Sequence, residues 1–171
     1  MSRFFKIQSD SGNFTRQLGR RFASLVSQRS FFREPSVVFL KGDLGSGKTT
    51  FVLGFLRYFG IKPVAASPTF VILKSYKVKS RKYKVDKIHH LDAYRLKSKK
   101  DLNVLGFDEI LKNPRNIILI EWPERIKGLP ARLAEAPAKR AGRHGSGVRG
   151  RILINFFHGP KENERTIVIE M

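Results

Sequence analysis

The chain has 171 residues, enough for one domain with a buried core but too few for two enzyme domains, and its 41% hydrophobic and 28% charged residues favour a globular fold over disorder. It contains no cysteine, which excludes disulfides and a cysteine-ligated zinc site and suits a reducing compartment. Its net charge of +20, from 34 Lys and Arg against 14 Asp and Glu, predicts attraction to polyanions.

Neither a signal peptide nor a membrane span is expected. The N-terminal residues 1 to 6 reach charged and polar side chains before any apolar run develops. The longest aliphatic runs, such as residues 117 to 120, are about four residues long, whereas a span needs roughly 20. We therefore expect a soluble, cytoplasmic protein.

The first half of the chain alternates between predicted helices and strands. Apolar residues at helical spacing predict an amphipathic helix over residues 13 to 29. The run VVFL at residues 37 to 40 predicts a buried strand, and helical spacing resumes at Lys48 and stops at Gly60. A glycine-rich loop separates this strand from the second helix, which is the setting of a phosphate-binding loop.

The segment GDLGSGKT at residues 42 to 49 meets the full Walker A pattern. Its glycines let successive N–H groups turn toward one anion, and the following helix adds its positive N-terminal end. Lys48 is expected to reach the β- and γ-phosphates, and the Thr49 hydroxyl to ligate magnesium. The predicted nucleotide-binding residues of this loop are Asp43, Leu44, Gly45, Ser46, Gly47, Lys48, Thr49 and Thr50.

Further strands and helices are predicted in the middle of the chain. Residues 63 to 73 predict a loop that leads into a strand, and residues 76 to 92 predict two strands around a basic turn. Residues 99 to 112 predict one helix, and residues 117 to 120 a second buried strand.

The C-terminal part changes in composition. Residues 131 to 150 hold alanine, glycine and arginine with almost no large apolar side chains, which predicts a mobile basic loop. Residues 151 to 157 and 166 to 170 predict a terminal hairpin. Together the elements predict a single domain over residues 1 to 171, with a three-layer α/β P-loop NTPase fold, a mostly parallel central sheet and a C-terminal β-hairpin.

Two acidic residues at strand ends are candidates to complete the nucleotide site. Glu121 follows a buried strand, where the magnesium-binding acid of a P-loop protein belongs, although an exposed strand-end glutamate is the alternative. Trp122 is either a wall of the nucleotide pocket or a core residue. Asp92 is a candidate for holding metal-bound water or aiming the attacking water, with a salt bridge to Arg95 as the alternative. The guanine-reading motifs of GTPases are absent, so adenine is the expected base.

Positive charge is concentrated in the middle of the chain. Between residues 74 and 100 the only acidic side chains are Asp86 and Asp92. This stretch is either a solvated hairpin or a surface that faces RNA or phosphate. Its eleven basic residues are Lys74, Lys77, Lys79, Arg81, Lys82, Lys84, Lys87, Arg95, Lys97, Lys99 and Lys100.

Five strings of residues together resemble the bacterial TsaE family (also called YjeE), the small ATPase of tRNA threonylcarbamoyladenosine synthesis. The resemblance extends from about residue 37 to residue 130, in matching order and spacing. The Walker A string is shared by many ATPases, whereas the second, third and fifth strings are far more specific. The five are GDLGSGKTT at 42 to 50, SPTF at 67 to 70, HLDAYRL at 90 to 96, LGFDE at 105 to 109 and IEWPER at 120 to 125.

The resemblance implies roles for the matching positions. Glu121 would be the magnesium acid beside the family's tryptophan, Trp122, while residues 67 to 69 would form a switch-like loop near the γ-phosphate. Asp92 would help to position metal and water, and His90 is expected to be a packed strand residue. The candidate catalytic residues are thus Lys48, Thr69, Asp92 and Glu121, and the candidate magnesium ligands are Thr49 and Glu121.

The resemblance also implies a function and partners. ATP, with Mg²⁺, would be bound and hydrolysed in support of the TsaB–TsaD complex. TsaD modifies the adenosine at position 37, next to the anticodon, in tRNAs that read codons beginning with adenine. Contact with tRNA would be indirect or through the basic surface. The segment at 74 to 76 departs from the family, since it lacks the acidic residue that often precedes the tyrosine.

Two other functions stay open at this point. A small-molecule kinase also pairs a Walker A loop with a small α/β domain, and Arg140, Arg143 and Arg149 could serve as its lid. A basic RNA-binding module without enzymatic activity would use the positive surface but would leave the complete Walker A loop unexplained.

Overall fold

The computed structural model describes residues 3–28, 34–62, 72–129, 133 and 151–171. Within these residues, seven strands form one sheet with helices packed against both faces. The strands are β1 (Phe4–Ser9), β2 (Ser36–Gly42), β3 (Leu73–Lys77), β4 (Lys87–Asp92), β5 (Asn116–Glu121), β6 (Arg151–His158) and β7 (Arg165–Glu170); the helices are α1 (Gly12–Ser27), α2 (Lys48–Tyr58), α3 (Lys99–Val104) and α4 (Phe107–Ile110).

The sheet has the strand order β1-β7-β6-β2-β5-β4-β3. Its four central strands, β6, β2, β5 and β4, are parallel, whereas β1, β7 and β3 pair antiparallel with their neighbours. The predicted α/β fold with a mostly parallel centre and a C-terminal hairpin is confirmed.

The apolar run of β2 is continuous because both faces of the sheet are covered. Val38 and Leu40 belong to a core cluster that includes Phe51 of α2, while Val37 and Phe39 belong to the cluster on the other face. Successive side chains of a strand point to opposite faces, so a strand buried on both has no polar alternation.

The helix that follows the glycine loop is held by a close crossing of α1 and α2. A Cβ atom on Gly54 would lie 1.9 Å from the carbonyl oxygen of Arg16, and one on Gly19 would lie 2.1 Å from that of Phe51. Both distances are far below van der Waals contact, so the two backbones approach this closely only because both positions are glycine.

One predicted element was wrong, and one element was not predicted. The single helix over residues 99 to 112 is two short helices, α3 and α4, because Gly106 between them has a φ of 67° that a continuous helix does not allow. Strand β1 was not predicted; it lies at the sheet edge and is mostly exposed, so it shows no apolar alternation.

Some predictions fall outside the described residues. Of the predicted loop at residues 63 to 73, residues 63 to 71 lie outside the described part, and β3 begins at Leu73. Of the predicted basic loop at 131 to 150, residue 133 alone is described. Within the described part of the chain, no helix has both the length and the apolar composition that a membrane span requires.

Candidate nucleotide site

The carboxyl ends of three neighbouring parallel strands form one edge at which the predicted site residues meet. Strand β2 ends in the glycine loop, and its Leu40 pairs with Glu121 at the end of β5. Glu121 in turn pairs with Asp92 at the end of β4. The two candidate acids are therefore lateral neighbours beside the loop, in the position where open α/β sheets bind ligands.

The loop from Gly42 to Lys48 depends on glycine at both ends. Gly42 has a φ of 142°, and a Cβ atom there would lie 2.3 Å from the carbonyl oxygen of Phe156. Gly47 has a φ of 100° and starts α2 without a side-chain cap, so the amides of the first helical turn face the loop. Unpaired amides at the start of a helix are suited to an anion.

Lys48 lies on the floor of this loop and is almost fully buried, with 4% of its surface exposed. Its Nζ donates hydrogen bonds to the carbonyl oxygens of Gly42, at 2.6 Å, and Asp43, at 2.8 Å. It also lies 3.9 Å from the ring centroid of Trp122, a cation–π contact. Burial lowers the pKa of Lys48, and nearby carboxylates, Glu121 foremost, oppose that shift.

Glu121 is buried and is held by two hydrogen-bonding side chains. The hydroxyl of Thr49 donates to its carboxylate at 2.9 Å and 3.1 Å, and His90 Nε2 lies 2.8 Å from its Oε1. Only 2% of Glu121 is exposed, so the alternative of a solvated strand-end glutamate is wrong. A buried carboxylate is stable only with such partners, and these fix where its oxygens point.

Asp92 is half-buried beside Glu121. Its Oδ1 accepts a hydrogen bond from the amide of Tyr94 at 3.0 Å and so caps a short 3₁₀ turn. Burial raises the pKa of Asp92, the charge of Glu121 raises it further, and the Tyr94 amide acts in the opposite direction. Among the described residues, no ion pair joins Asp92 to Arg95.

Trp122 forms a half-buried wall of the site. Its backbone is left-handed, with a φ of 58°, and its amide donates to the carbonyl oxygen of Leu40. Its ring packs edge-on against Tyr94 at 5.2 Å, and the guanidinium of Arg125 lies over both rings. Tyr94 and Arg125 were not predicted as site residues, although both belong to the specific strings at 90 to 96 and 120 to 125.

The C-terminal hairpin also touches the glycine loop. His158, the last residue of β6, places Nε2 3.1 Å from the carbonyl oxygen of Leu44. Arg165, which pairs with His158 across the hairpin, donates to the carbonyl oxygen of Gly45 at 2.9 Å. Neither residue was predicted, because each lies more than 100 positions from the loop that it contacts.

The structure thus brings most of the predicted residues together. Thr50 lies in the first turn of α2, and Ser46 is buried, while Leu44 at the loop tip is 81% exposed. Thr69, with the rest of the predicted switch-like loop, lies outside the described residues. The same holds for the three arginines of the possible kinase lid, at positions 140, 143 and 149.

The oxygen atoms of the site suit magnesium. Within the described residues, no group of three His, Cys, Asp or Glu side chains is arranged to hold a metal. The Thr49 hydroxyl, the Glu121 carboxylate and the neighbouring Asp92 carboxylate instead bring hard oxygen atoms together. Mg²⁺ is commonly held by one or two carboxylates and completes its octahedron with substrate phosphates and water.

Comparison with known proteins finds one family and several relatives. The family described as "Threonylcarbamoyl adenosine biosynthesis protein TsaE" matches residues 9–144. A Rickettsia conorii protein named "tRNA threonylcarbamoyladenosine biosynthesis protein TsaE" is 41% identical over 111 residues, which cover 64% of this chain and 58% of that protein. Proteins of the same name from Bacillus subtilis and Haemophilus influenzae are 37% and 32% identical, and each alignment covers 66% of this chain and 67% of the relative. The match therefore spans less than two thirds of the length of the Rickettsia conorii protein.

Proposed function

Because this chain belongs to the TsaE family of threonylcarbamoyl adenosine biosynthesis proteins, we propose that it binds and hydrolyses ATP in support of that tRNA modification. The observation that carries the proposal is the hydrogen bond from Thr49 to Glu121. It places the hydroxyl at the end of the phosphate loop beside a buried acid on the adjacent parallel strand, and such a pair holds Mg²⁺ in P-loop NTPases.

Different residues of the site would bind the phosphates and the magnesium ion. The first-turn amides of α2 and the Lys48 ammonium would hold the β- and γ-phosphates, with Lys48 leaving its carbonyl contacts for phosphate oxygens. Thr49 and Glu121 would hold Mg²⁺, which when bound neutralises charge that develops on the phosphates. His90 would keep the Glu121 carboxylate in its orientation.

Asp92 would act on water. Its raised pKa makes its carboxylate a better hydrogen-bond acceptor than an exposed aspartate. It would orient a water molecule whose oxygen attacks the γ-phosphorus as the bond from that phosphorus to the bridging oxygen of ADP breaks. Trp122 and Tyr94 would limit the entry of bulk water from one side.

The proposed ATPase would act as part of a larger assembly. Hydrolysis would reset a TsaB–TsaD complex between turnovers, and TsaD itself would transfer the threonylcarbamoyl group to the adenosine at position 37 of tRNA. The chain would then be an ATPase subunit and not the transferase.

The test is ATP turnover by the purified chain, alone and with TsaB–TsaD, together with formation of the modified adenosine in tRNA. We expect slow turnover alone and faster turnover with the complex. Lys48→Ala should reduce turnover by at least about 100-fold, because it removes the cation that meets the phosphates. Lys112→Ala is the matched control, since Lys112 is exposed just after α4 and its ion pair is with Glu109, which is also exposed. Full activity of Lys48→Ala would refute the assignment.

A further inference from the structure

A second basic site lies at the turn between β3 and β4. A cleft of about 600 Å³ opens there, and four of its lining side chains are cationic: Lys79, Arg81, Lys84 and Arg115. Strand β4 starts at this turn and ends at Asp92, so a whole strand, about 20 Å, separates the cleft from the candidate nucleotide site. The cleft is therefore not part of the phosphate loop.

The cleft is positive because its one acidic side chain pairs with only one of its four cations. Asp86 forms an ion pair with Arg115 at 2.7 Å, and Asn113 donates to its other carboxylate oxygen at 3.3 Å. Lys79, Arg81 and Lys84 are exposed, and none of them takes part in an ion pair among the described residues. Three unmatched cations thus line one concave surface.

The turn that carries these cations is anchored to the protein core. The Tyr83 hydroxyl donates to the carbonyl oxygen of Tyr58 at the end of α2, and its ring packs edge-on against Phe59 at 4.9 Å. Val78 and Val85 on either side of it are buried in the same core cluster. The contacts of Tyr83, Val78 and Val85 thus fix the backbone from which these cations extend, which distinguishes this turn from a solvated hairpin that is only rich in lysine.

We propose that this cleft binds the phosphodiester backbone of RNA, and the proposal rests on the tRNA-linked function above. Three more exposed lysines, Lys77, Lys82 and Lys87, lie on the same hairpin outside the lining of the cleft. Together with the three unmatched cations of the cleft they are more than a single phosphate group needs. A polymer with many phosphates can engage several of them at once, and the contacts would carry no base specificity.

The experiment measures tRNA binding without ATP, so that it is independent of hydrolysis. The variant Lys79→Ala/Arg81→Ala/Lys84→Ala removes three charges from the cleft. The control Lys97→Ala/Lys99→Ala/Lys100→Ala removes the same charge from exposed positions outside it. We expect the cleft variant to lose at least about 10-fold in affinity at low salt, and we expect its slope of log K against log salt to become less negative by about 2 to 3. The control should lose less than about 3-fold.

Two further measurements distinguish RNA binding from the binding of a small anion and from a general effect of charge. Inorganic phosphate should compete with tRNA only in large excess; displacement at comparable concentration would mean a small-anion site and would overturn the proposal. Equal losses in both triple variants, or no tRNA binding by the unaltered chain, would overturn it as well. ATP turnover by the cleft variant should equal that of the control, so a failure of the ATPase proposal is recognised separately.

Discussion

His90 Nε2 lies 2.8 Å from Glu121 Oε1, across two neighbouring parallel strands, and both side chains are buried. The same carboxylate accepts the Thr49 hydroxyl. Glu121 is thus fixed from the strand next to it and from the helix after the phosphate loop. The histidine is a positioning residue for the proposed magnesium acid.

The first prediction concerns this histidine. His90→Ala should lower kcat for ATP hydrolysis by about 10- to 100-fold and raise the Mg²⁺ concentration needed for half-maximal turnover, because Glu121 loses its orientation. His90→Gln should recover part of the loss, since its amide nitrogen can reach the same oxygen. His89→Asn is the control, because the adjacent buried His89 contacts Ser75 Oγ and not Glu121. An unchanged Mg²⁺ dependence in His90→Ala would show that the contact is only structural.

The second prediction separates stability from activity at Asp92. The pKa of Asp92 is raised in the folded state. The free energy of unfolding therefore falls as the pH rises from about 3.8, the pKa of an ordinary aspartate, through the raised value. Asp92→Asn removes the charge and keeps an oxygen for the Tyr94 amide. The variant should therefore have a higher Tm than the unaltered chain at about pH 7.5, with a smaller difference at about pH 4.5, and lower ATP turnover. A lower Tm at neutral pH would contradict the argument.

The third prediction is a pH dependence of stability that arises at His89. Burial lowers the pKa of this imidazole, and the charge of Lys87 adds to the effect. The unfolded chain then binds a proton near pH 6.5 while the folded chain does not, so stability is fully present above that pH and falls as the pH falls through 6.5 toward the lowered value. Urea midpoints should decline from about pH 7.5 to pH 5, and His89→Asn should flatten that decline. An equal slope in the variant would assign the effect to other groups.

The parts of the site that the sequence predicted are those encoded locally. About ten consecutive residues are enough to recognise the Walker A segment, and the same holds for the acid after the apolar run at 117 to 120. The contact of His90 with Glu121 depends on which strands are neighbours, and that pairing is not visible in either segment. His158 and Arg165 approach the loop only because the terminal hairpin lies beside β2.

The two errors in the fold have different physical origins. The apolar spacing predicted one helix across Gly106, although an isolated glycine inside a helical pattern is itself a sign that the helix can end there. Strand β1 is held by its backbone pairing with β7, and a mostly exposed edge strand leaves little apolar pattern in the sequence.

The fourth prediction concerns the crossing of α1 and α2. Intrinsic helix propensity favours alanine over glycine by about 1 kcal/mol. At Gly54 the added Cβ would meet the Arg16 carbonyl oxygen at 1.9 Å, so we expect Gly54→Ala to destabilise the fold by about 1–3 kcal/mol instead. Gly12→Ala is the matched control, because its Cβ would meet only a methyl group, at 3.9 Å. Chemical unfolding that ranks Gly54→Ala as stable as Gly12→Ala would refute the close crossing.

The fifth prediction concerns the hold of the C-terminal hairpin on the phosphate loop. Arg165 donates to Gly45 and is itself braced by the carbonyl oxygens of Glu162 and Glu164, while His158 contacts Leu44. Arg165→Ala should let the tip of the loop move and should weaken ADP binding by about 3- to 30-fold, because the loop must then be ordered by the nucleotide.

Lys161→Ala is the control for this variant, since Lys161 lies in the same turn and pairs with Glu164 without touching the loop. Calorimetric titration with ADP measures binding directly, and ATP turnover at saturation should change much less than affinity. If Arg165→Ala and Lys161→Ala bound ADP equally well, the hairpin would only border the loop. A selective loss in Arg165→Ala would instead mean that residues more than 100 positions apart jointly set the shape of the glycine loop.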